Sequence, residues 1–179
     1  MAALVVVLWM LEAYDALSPT VLDGYGIRAR DPESLDSILV APFLHVGFGH
    51  LLANTVPFAV LGFLLMLEGL RRWLAVTALA MAASGLLAWL LSPEYSVTLG
   101  ASGVVFGWLV YLLARGVFSR SAVDIAIGLV VLLIFGGILW GVLPSTPGVS
   151  WQAHLGGALG GLLAAATLAR PARRPGLAR

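Results

Sequence analysis

Five polar side chains interrupt apolar stretches of this sequence and are the first candidates for chemistry: His45, His50, Asn54, Ser102 and His154. A serine hydroxyl becomes a strong nucleophile when a neighbouring imidazole accepts its proton. Histidine and asparagine side chains can also donate hydrogen bonds to a developing oxyanion. Ser102 and His154 therefore predict acyl-transfer chemistry, provided that the fold brings them within hydrogen-bond reach.

Each of these residues also has a structural interpretation. A lone serine at a helix start is usually a cap, and a lone asparagine or histidine in an apolar helix usually bonds a carbonyl or a neighbouring helix. Their similar depth in the membrane favours a shared catalytic role instead. Counted from the charged residues that end the apolar stretches, Ser102, Asn54 and His154 lie roughly 20, 21 and 24 Å along their helices, at about 1.5 Å per residue. His50 lies one turn above Asn54 on the same face.

Glycines spaced four residues apart follow both Ser102 and His154. The pairs are Gly103 with Gly107, Gly157 with Gly161, and Gly156 with Gly160. Small residues at this spacing allow the backbones of two membrane helices to approach closely. The sequence therefore predicts that the helices bearing Ser102 and His154 touch each other, as a nucleophile and its base require.

The composition predicts a polytopic membrane protein. Hydrophobic residues make up 60% of the 179 residues and charged residues only 11%, against about 25% charged in a soluble domain. This charge is too little to cover a water-exposed surface. Because the sequence contains no cysteine, it has no disulfide framework and no thiolate metal site. Three histidines make a poor metal site, and no basic face is free for nucleic acid, so we expect neither partner.

Six apolar stretches predict an all-α bundle of six transmembrane helices in a single domain over residues 1–179. They cover residues 2–17, 49–67, 73–91, 102–114, 122–140 and 151–169. A span needs about 20 residues, so the fourth stretch predicts a short helix that begins partway down the membrane beside a wet cavity. Residues 18–42 predict a long first extracytoplasmic loop.

Arginine placement predicts the orientation of these helices, because cytoplasmic loops carry an excess of positive charge. With six spans, one side carries Arg71, Arg72, Arg115, Arg120, Arg170, Arg173, Arg174 and Arg179. The other side carries two arginines and five acids: Arg28, Arg30, Asp23, Asp31, Glu33, Asp36 and Glu94. We therefore expect both ends of the sequence in the cytoplasm, with residues 170–179 as a basic tail.

Three motifs surround the candidate residues. Residues 100–103 read G-x-S-G, residues 153–161 read A-H-x-x-G-x-x-x-G, and residues 45–54 read H-x-x-x-x-H-x-x-x-N. Gly100 gives the serine a flexible approach. In this order and spacing, over about residues 20–169, the sequence resembles the rhomboid intramembrane serine proteases. Each motif alone is weak, but the three together on helices two, four and six are specific.

The resemblance implies a serine endopeptidase that cleaves peptide bonds in or near transmembrane segments through an acyl-enzyme, without a cofactor. Ser102 would be the nucleophile and His154 its base. His50 and Asn54, with the backbone N–H of Ser102, would form the oxyanion hole. His45 matches a further histidine of the family, which we interpret as structural.

Two positions depart from the family pattern. The family often has tyrosine one turn below the nucleophile, where this sequence has Phe106, which we expect to pack on the His154 ring. Many members carry a Trp-Arg pair in the first loop, and residues 26–30 are expected to anchor the loop here instead. Asp124 is expected at the cytoplasmic end of its helix, too far away to orient His154. The sequence therefore predicts a Ser–His dyad rather than a triad.

Two other functions fit these residues less well than the protease does. A non-proteolytic rhomboid-like protein that binds client transmembrane helices would use the same fold, but such relatives lack the serine or the histidine. A small transporter or channel would need a polar path through both leaflets, and the cytoplasmic halves of the helices are apolar. The sequence contains neither H-E-x-x-H nor G-x-G-D, the motifs of other intramembrane proteases. We expect a multi-pass protein of a prokaryotic inner membrane, with membrane lipid and transmembrane protein substrates as partners.

Overall fold

The computed structural model describes residues 1–18, 22–145 and 147–169, which are mainly helical. The helices are α1 Ala2–Leu17, α2 Ser37–Val40, α3 Gly47–Met66, α4 Leu70–Leu91, α5 Ser102–Ser119, α6 Ala122–Phe135 and α7 Trp151–Leu168. Shorter 3₁₀ turns cover Leu22–Tyr25, Pro32–Ser34, Ala41–Phe43 and Gly136–Val142. Two strands, β1 Ile27–Arg28 and β2 Val97–Thr98, pair antiparallel. The predicted basic tail, 170–179, lies outside the described residues.

α5 is the centre of the bundle. Its large side chains Trp108, Leu109 and Tyr111 have no exposed surface. A helix that is apolar on all sides belongs in the interior of a bundle, and α3, α4, α6 and α7 pack around it. α1 lies at the periphery against α3. The residue that begins α5, Ser102, is therefore held by the most enclosed helix of the protein.

Small residues bring α4, α5 and α7 together. A Cβ added to Gly157 or Gly161 of α7 would overlap the carbonyl group of Gly103 or Gly107 in α5. Two further glycines of α7 lie against the backbone of α4. α5 and α7 therefore pack backbone to backbone, as small residues allow, and α4 is a third partner that the glycine spacing did not predict.

The prediction of a short helix over 102–114 is wrong, because α5 has 18 residues and ends at Ser119. Arginine usually marks a membrane surface, which is why the sequence suggests an end at Arg115. Arg115 instead lies buried inside α5 and pairs with Glu68 after α3 and, at 2.9 Å, with Asp124 of α6. Buried charge is tolerated when it is paired in this way. The other helix ends differ from the predicted ones by a few residues, except that the predicted fifth helix changes to a 3₁₀ turn at Gly136.

The part of the first loop from β1 to α2 packs against α4. Arg30 donates from Nη1 to the carbonyl oxygen of Ser92 at 2.8 Å. The indole N–H of Trp89 donates to the carbonyl oxygen of Asp31 at 2.9 Å. Together with the β1–β2 pair, these bonds hold the segment containing Arg30 on α4.

The outer surface of the bundle is suited to lipid. In the described part of the chain, four helical segments are long and apolar enough to cross a membrane by length and composition: Gly47–Met66, Leu70–Leu91, Ser102–Ser119 and Ala122–Val142. On α6, Leu133 is 86% exposed and Ile134 is 67% exposed. Helices whose backbone bonds are satisfied internally and whose outer faces are apolar are what a bilayer requires. The chain is an integral membrane protein.

Candidate active site

The turn before α5 fixes the position of Ser102. Gly100 has φ +117°, a conformation that residues with a Cβ rarely adopt, and its N–H donates to the Ala41 carbonyl oxygen at 2.8 Å. A Cβ at this position would also lie 2.7 Å from the ring of His50. Gly100 is therefore required both for the turn and for the close approach of α3 to the start of α5.

Ser102 and His154 are in hydrogen-bond contact. His154 Nε2 lies 2.8 Å from Ser102 Oγ, and His154 Nδ1 lies 2.8 Å from the carbonyl oxygen of Gly141. A carbonyl oxygen can only accept, so Nδ1 carries the hydrogen of the neutral imidazole and Nε2 carries the lone pair. The hydroxyl of Ser102 therefore donates to Nε2, which is the arrangement that a general base needs.

The carbonyl oxygen of Gly141 lies at Nδ1 of His154, the position that the aspartate occupies in a Ser-His-Asp triad, and sequence reasoning missed it. Every residue has a carbonyl, so no residue type signals this role. The available signal is the glycine, because a Cβ at position 141 would lie 2.9 Å from Phe106 Cζ and 3.0 Å from His154 Nδ1. Asp124, by contrast, pairs with Arg115.

Phe106 supports the imidazole from one face. Its ring is stacked on that of His154, with centroids 4.1 Å apart and an interplanar angle of 11°. Phe106 is buried and follows Ser102 by one turn of α5. One helix therefore carries both the hydroxyl and the aromatic ring that stacks on the imidazole. The ring contact and the Gly141 bond together restrict the plane and the direction of the imidazole.

His50 and Asn54 line the same cavity as Ser102 and His154, with a volume of about 670 Å³. Asn54 uses one amide hydrogen on the His50 carbonyl oxygen at 3.0 Å, and a second hydrogen remains. His50 Nδ1 accepts from the Val46 N–H at 3.4 Å, which leaves the neutral ring with its hydrogen on Nε2. Both side chains therefore keep a donor for a ligand in the cavity.

His45 supports the turn that leads to Ser102. Its Nε2 accepts from the N–H of Ala101 at 3.4 Å. Burial, followed by the neighbouring His50, lowers the pKa of His45 to about 4, so the ring is neutral at pH 7. Because it is buried and bonded to the backbone, its role in the site is to hold the residue before the serine.

The cavity lies where α3, α5 and α7 begin. Helix N-termini carry partial positive charge and unpaired N–H groups, which favour negative charge in their vicinity. Within the described residues, no side chain caps the N-terminus of α5. The backbone N–H of Ser102 is therefore free to donate to an oxyanion beside the hydroxyl.

A family model described as the Rhomboid domain matches residues 32–171. Uncharacterized proteins of Mycobacterium bovis and Mycobacterium tuberculosis are each 45% identical to this chain over 178 residues, which cover 95% of the chain and 74% of the relative. An uncharacterized protein of Mycobacterium leprae is 43% identical over 175 residues, covering 93% of the chain and 69% of the relative. The range matched by the family model includes Ser102, His154 and every other residue of the cavity.

Proposed function

This chain belongs to the rhomboid family, and on that basis we propose that it is an intramembrane serine endopeptidase. Ser102 attacks the scissile carbonyl while His154 accepts the hydroxyl proton through Nε2. His154 passes the proton to the leaving amine, and the acyl-enzyme on Ser102 is then hydrolysed by a water that the same imidazole activates. The observation that carries the proposal is the 2.8 Å contact between Ser102 Oγ and His154 Nε2, with the imidazole tautomer set by Gly141.

His50, Asn54 and the N–H of Ser102 stabilise the tetrahedral intermediate. Both side chains line the cavity that contains the serine hydroxyl, and each keeps one donor. Stabilisation by such preorganised donors is usually a large part of the rate enhancement in acyl transfer, at about 2.7–4 kcal/mol for a single donor. The start of α5 adds a smaller contribution through its dipole.

The substrates are transmembrane segments of other membrane proteins, which reach the cavity from the surrounding lipid. Peptide bonds in an intact helix are shielded by their own hydrogen bonds. Cleavable segments therefore contain glycine, proline or polar residues that let the helix unwind, with a small residue before the cut. The reaction uses no cofactor or metal, and nucleic acid is not a partner.

In this proposal, α1 and α7 cross the membrane together with the four apolar spans of the described residues, which makes six spans in total. Residues 1–179 form one domain. The cavity opens on the non-cytoplasmic side, and both ends of the sequence, including 170–179, are cytoplasmic. The arginines Arg71 and Arg72 support this orientation, because they lie at the opposite end of α3 from the cavity. The mycobacterial relatives support a prokaryotic inner membrane.

Labelling with a fluorophosphonate in detergent tests whether Ser102 is activated. The probe reacts with serines whose hydroxyl is deprotonated by a neighbouring base. We expect labelling of the wild type, loss of labelling in Ser102→Ala, and strong reduction in His154→Ala. A folded wild type that resists the probe would indicate a family member that binds client helices without cleaving them.

A further inference from the structure

Three buried polar atoms that lack a hydrogen-bond partner within the described residues line one small internal space. They are Glu12 Oε2 on α1, Asp23 Oδ1 in the turn after α1, and His45 Nδ1 before α3. Asp15 lines the same space and accepts the N–H of Leu22. We call Glu12, Asp15, Asp23 and His45 the carboxyl–histidine cluster. Glu12 is 5% exposed and His45 is 2% exposed, and polar atoms at such depth normally have partners.

A proton is the partner that fits this cluster. The space between the side chains does not admit a water molecule. Across the described part of the chain, no group of acidic and histidine side chains is arranged to hold a metal ion. His45 is neutral, because burial lowers its pKa to about 4. Its Nε2 accepts from Ala101, so its single ring hydrogen lies on Nδ1 and can serve one carboxyl oxygen of the cluster but not both. Protonation turns a carboxyl oxygen from an acceptor into a donor, and burial, followed by the charge of Asp15, raises the pKa of Asp23.

The cluster lies beside both backbone segments that form the site. The Glu12 carboxyl group lies near the N–H of Gly47, the first residue of the helix that carries the proposed oxyanion donors. His45 accepts the N–H of Ala101 at 3.4 Å, directly before Ser102. A carboxylate at the N-terminus of α3 is also favoured by the helix dipole. The carboxyl–histidine cluster therefore joins the α1 side chain Glu12 to His45, which holds the backbone directly before Ser102.

We propose that Glu12 and Asp23 are positioning residues for the proposed protease: a proton held between the carboxyls of the cluster keeps α1 and the following turn docked on His45 and thereby aligns Ser102 with its oxyanion donors. The effect on cleavage rests on the proposed function, but the bound proton does not. When the proton leaves, adjacent negative charges remain in a buried site, which is strongly unfavourable. Among the described residues, His50 is a further titratable group that acts on Asp23, and its ring centroid lies 5.0 Å from that of His45.

The sign of the pH dependence follows from the direction of the pKa shift. Because the pKa of Asp23 is raised in the folded protein, the folded state binds the proton more tightly than the unfolded state. The resulting stabilisation is present at low pH and is lost as the pH rises through the raised pKa. We therefore expect the Tm of the wild type in detergent to fall on the alkaline side of the usual aspartate range, and a Tm that rises there would overturn the proposal.

Infrared difference spectroscopy, with the pH raised through and above the usual aspartate range, tests the bound proton without any need for activity. In the wild type the C=O band of a protonated carboxyl group should persist above that range, and Glu12→Gln or Asp23→Asn should remove this persistent band. Asp36→Asn makes the same chemical change at an exposed position of the same loop and should keep the band. A wild type without this band overturns the proposal, whether or not the protein cleaves a substrate.

The pH profile of cleavage tests the positioning role. In the wild type, activity should decline on the alkaline side as the cluster ionises, and Asp36→Asn should follow the same curve. Glu12→Gln and Asp23→Asn carry amides that cannot ionise, so they should lose this alkaline decline while the acid limb set by His154 stays. An alkaline limb that is identical in all four proteins would overturn the positioning role, even if the infrared band is present.

Discussion

The imidazole of His154 is oriented by a carbonyl oxygen and an aromatic ring. Hydrogen bonds to a charged acceptor are roughly twice as strong as those to a neutral one, so the Gly141 carbonyl stabilises an imidazolium less than an aspartate would. In the proposed protease, activation of Ser102 therefore depends on the accuracy of the alignment that Gly141 and Phe106 impose. Small displacements at these two positions should have large effects on the rate.

A methyl group at position 141 should displace the base. In Gly141→Ala the new Cβ would lie 2.9 Å from Phe106 Cζ and 3.0 Å from His154 Nδ1, so the two rings must move. We expect kcat to fall by about 10²-fold, the size of effect that a misplacement of about 1 Å can produce. Gly137→Ala in the same 3₁₀ turn is the matched control, because nothing lies within 4 Å of its Cβ. Equal activity of the two variants would argue against the Gly141 bond.

Removal of the Asn54 amide tests the oxyanion hole. Within the described residues, its side chain bonds only the carbonyl oxygen of His50 in its own helix, so Asn54→Ala should fold with little change in Tm. We expect kcat to fall by about 10²–10³-fold, the effect of losing one oxyanion donor. Steady-state kinetics beside thermal unfolding separates the two effects. Full activity in a folded variant would remove Asn54 from the site.

The side chains of the site could be predicted from the sequence, whereas the backbone groups could not. Ser102, His154, His50 and Asn54 are identifiable because polar residues are rare in apolar helices. The Gly141 carbonyl has no residue type of its own, and its approach depends on how the end of α6 winds. The hydrogen bond from the Ala101 N–H to His45 could not be predicted for the same reason.

At the scale of the helices, the contact between α4, α5 and α7 decides whether serine and histidine meet. The glycine spacing predicts close approach of α5 and α7. The contact of α4 with these two helices could not be predicted, because α4 contributes ordinary small residues such as Ala80 and Ser84 to it. The prediction of the length of α5 is wrong because the ion pair with Glu68, which helps to bury Arg115, joins residues far apart in sequence.

A larger residue at the α5–α7 contact should separate the dyad. A Cβ in Gly157→Ala would overlap the Gly103 carbonyl group, and overpacking of this kind typically costs about 1–3 kcal/mol. We expect a lower Tm in detergent and loss of fluorophosphonate labelling at Ser102. Gly49→Ala is the control, since it is also helical and nothing lies within 4 Å of its Cβ. A Gly157→Ala protein as stable and reactive as Gly49→Ala would contradict this packing.

On the scale of the whole molecule, the two ends of the bundle differ. One end has the cavity where three helices begin. At the other end, ion pairs of Arg115 connect α5 to Glu68 after α3 and to Asp124 of α6. Glu68 accepts from Tyr111 at 2.8 Å and from Arg72 at 3.0 Å, and it also pairs with Arg115. A bundle that is open at one end and joined by charges at the other suits a reaction chamber better than a passage through both leaflets.

The most direct test is cleavage of a model transmembrane substrate by the reconstituted protein in liposomes. Wild type, Ser102→Ala and His154→Ala should be compared at matched folding, verified by Tm. The dyad predicts a defined cleavage product with the wild type and none above background with either variant, because each removes one partner of the 2.8 Å contact. Cleavage that persists at the wild-type rate in Ser102→Ala would contradict the account.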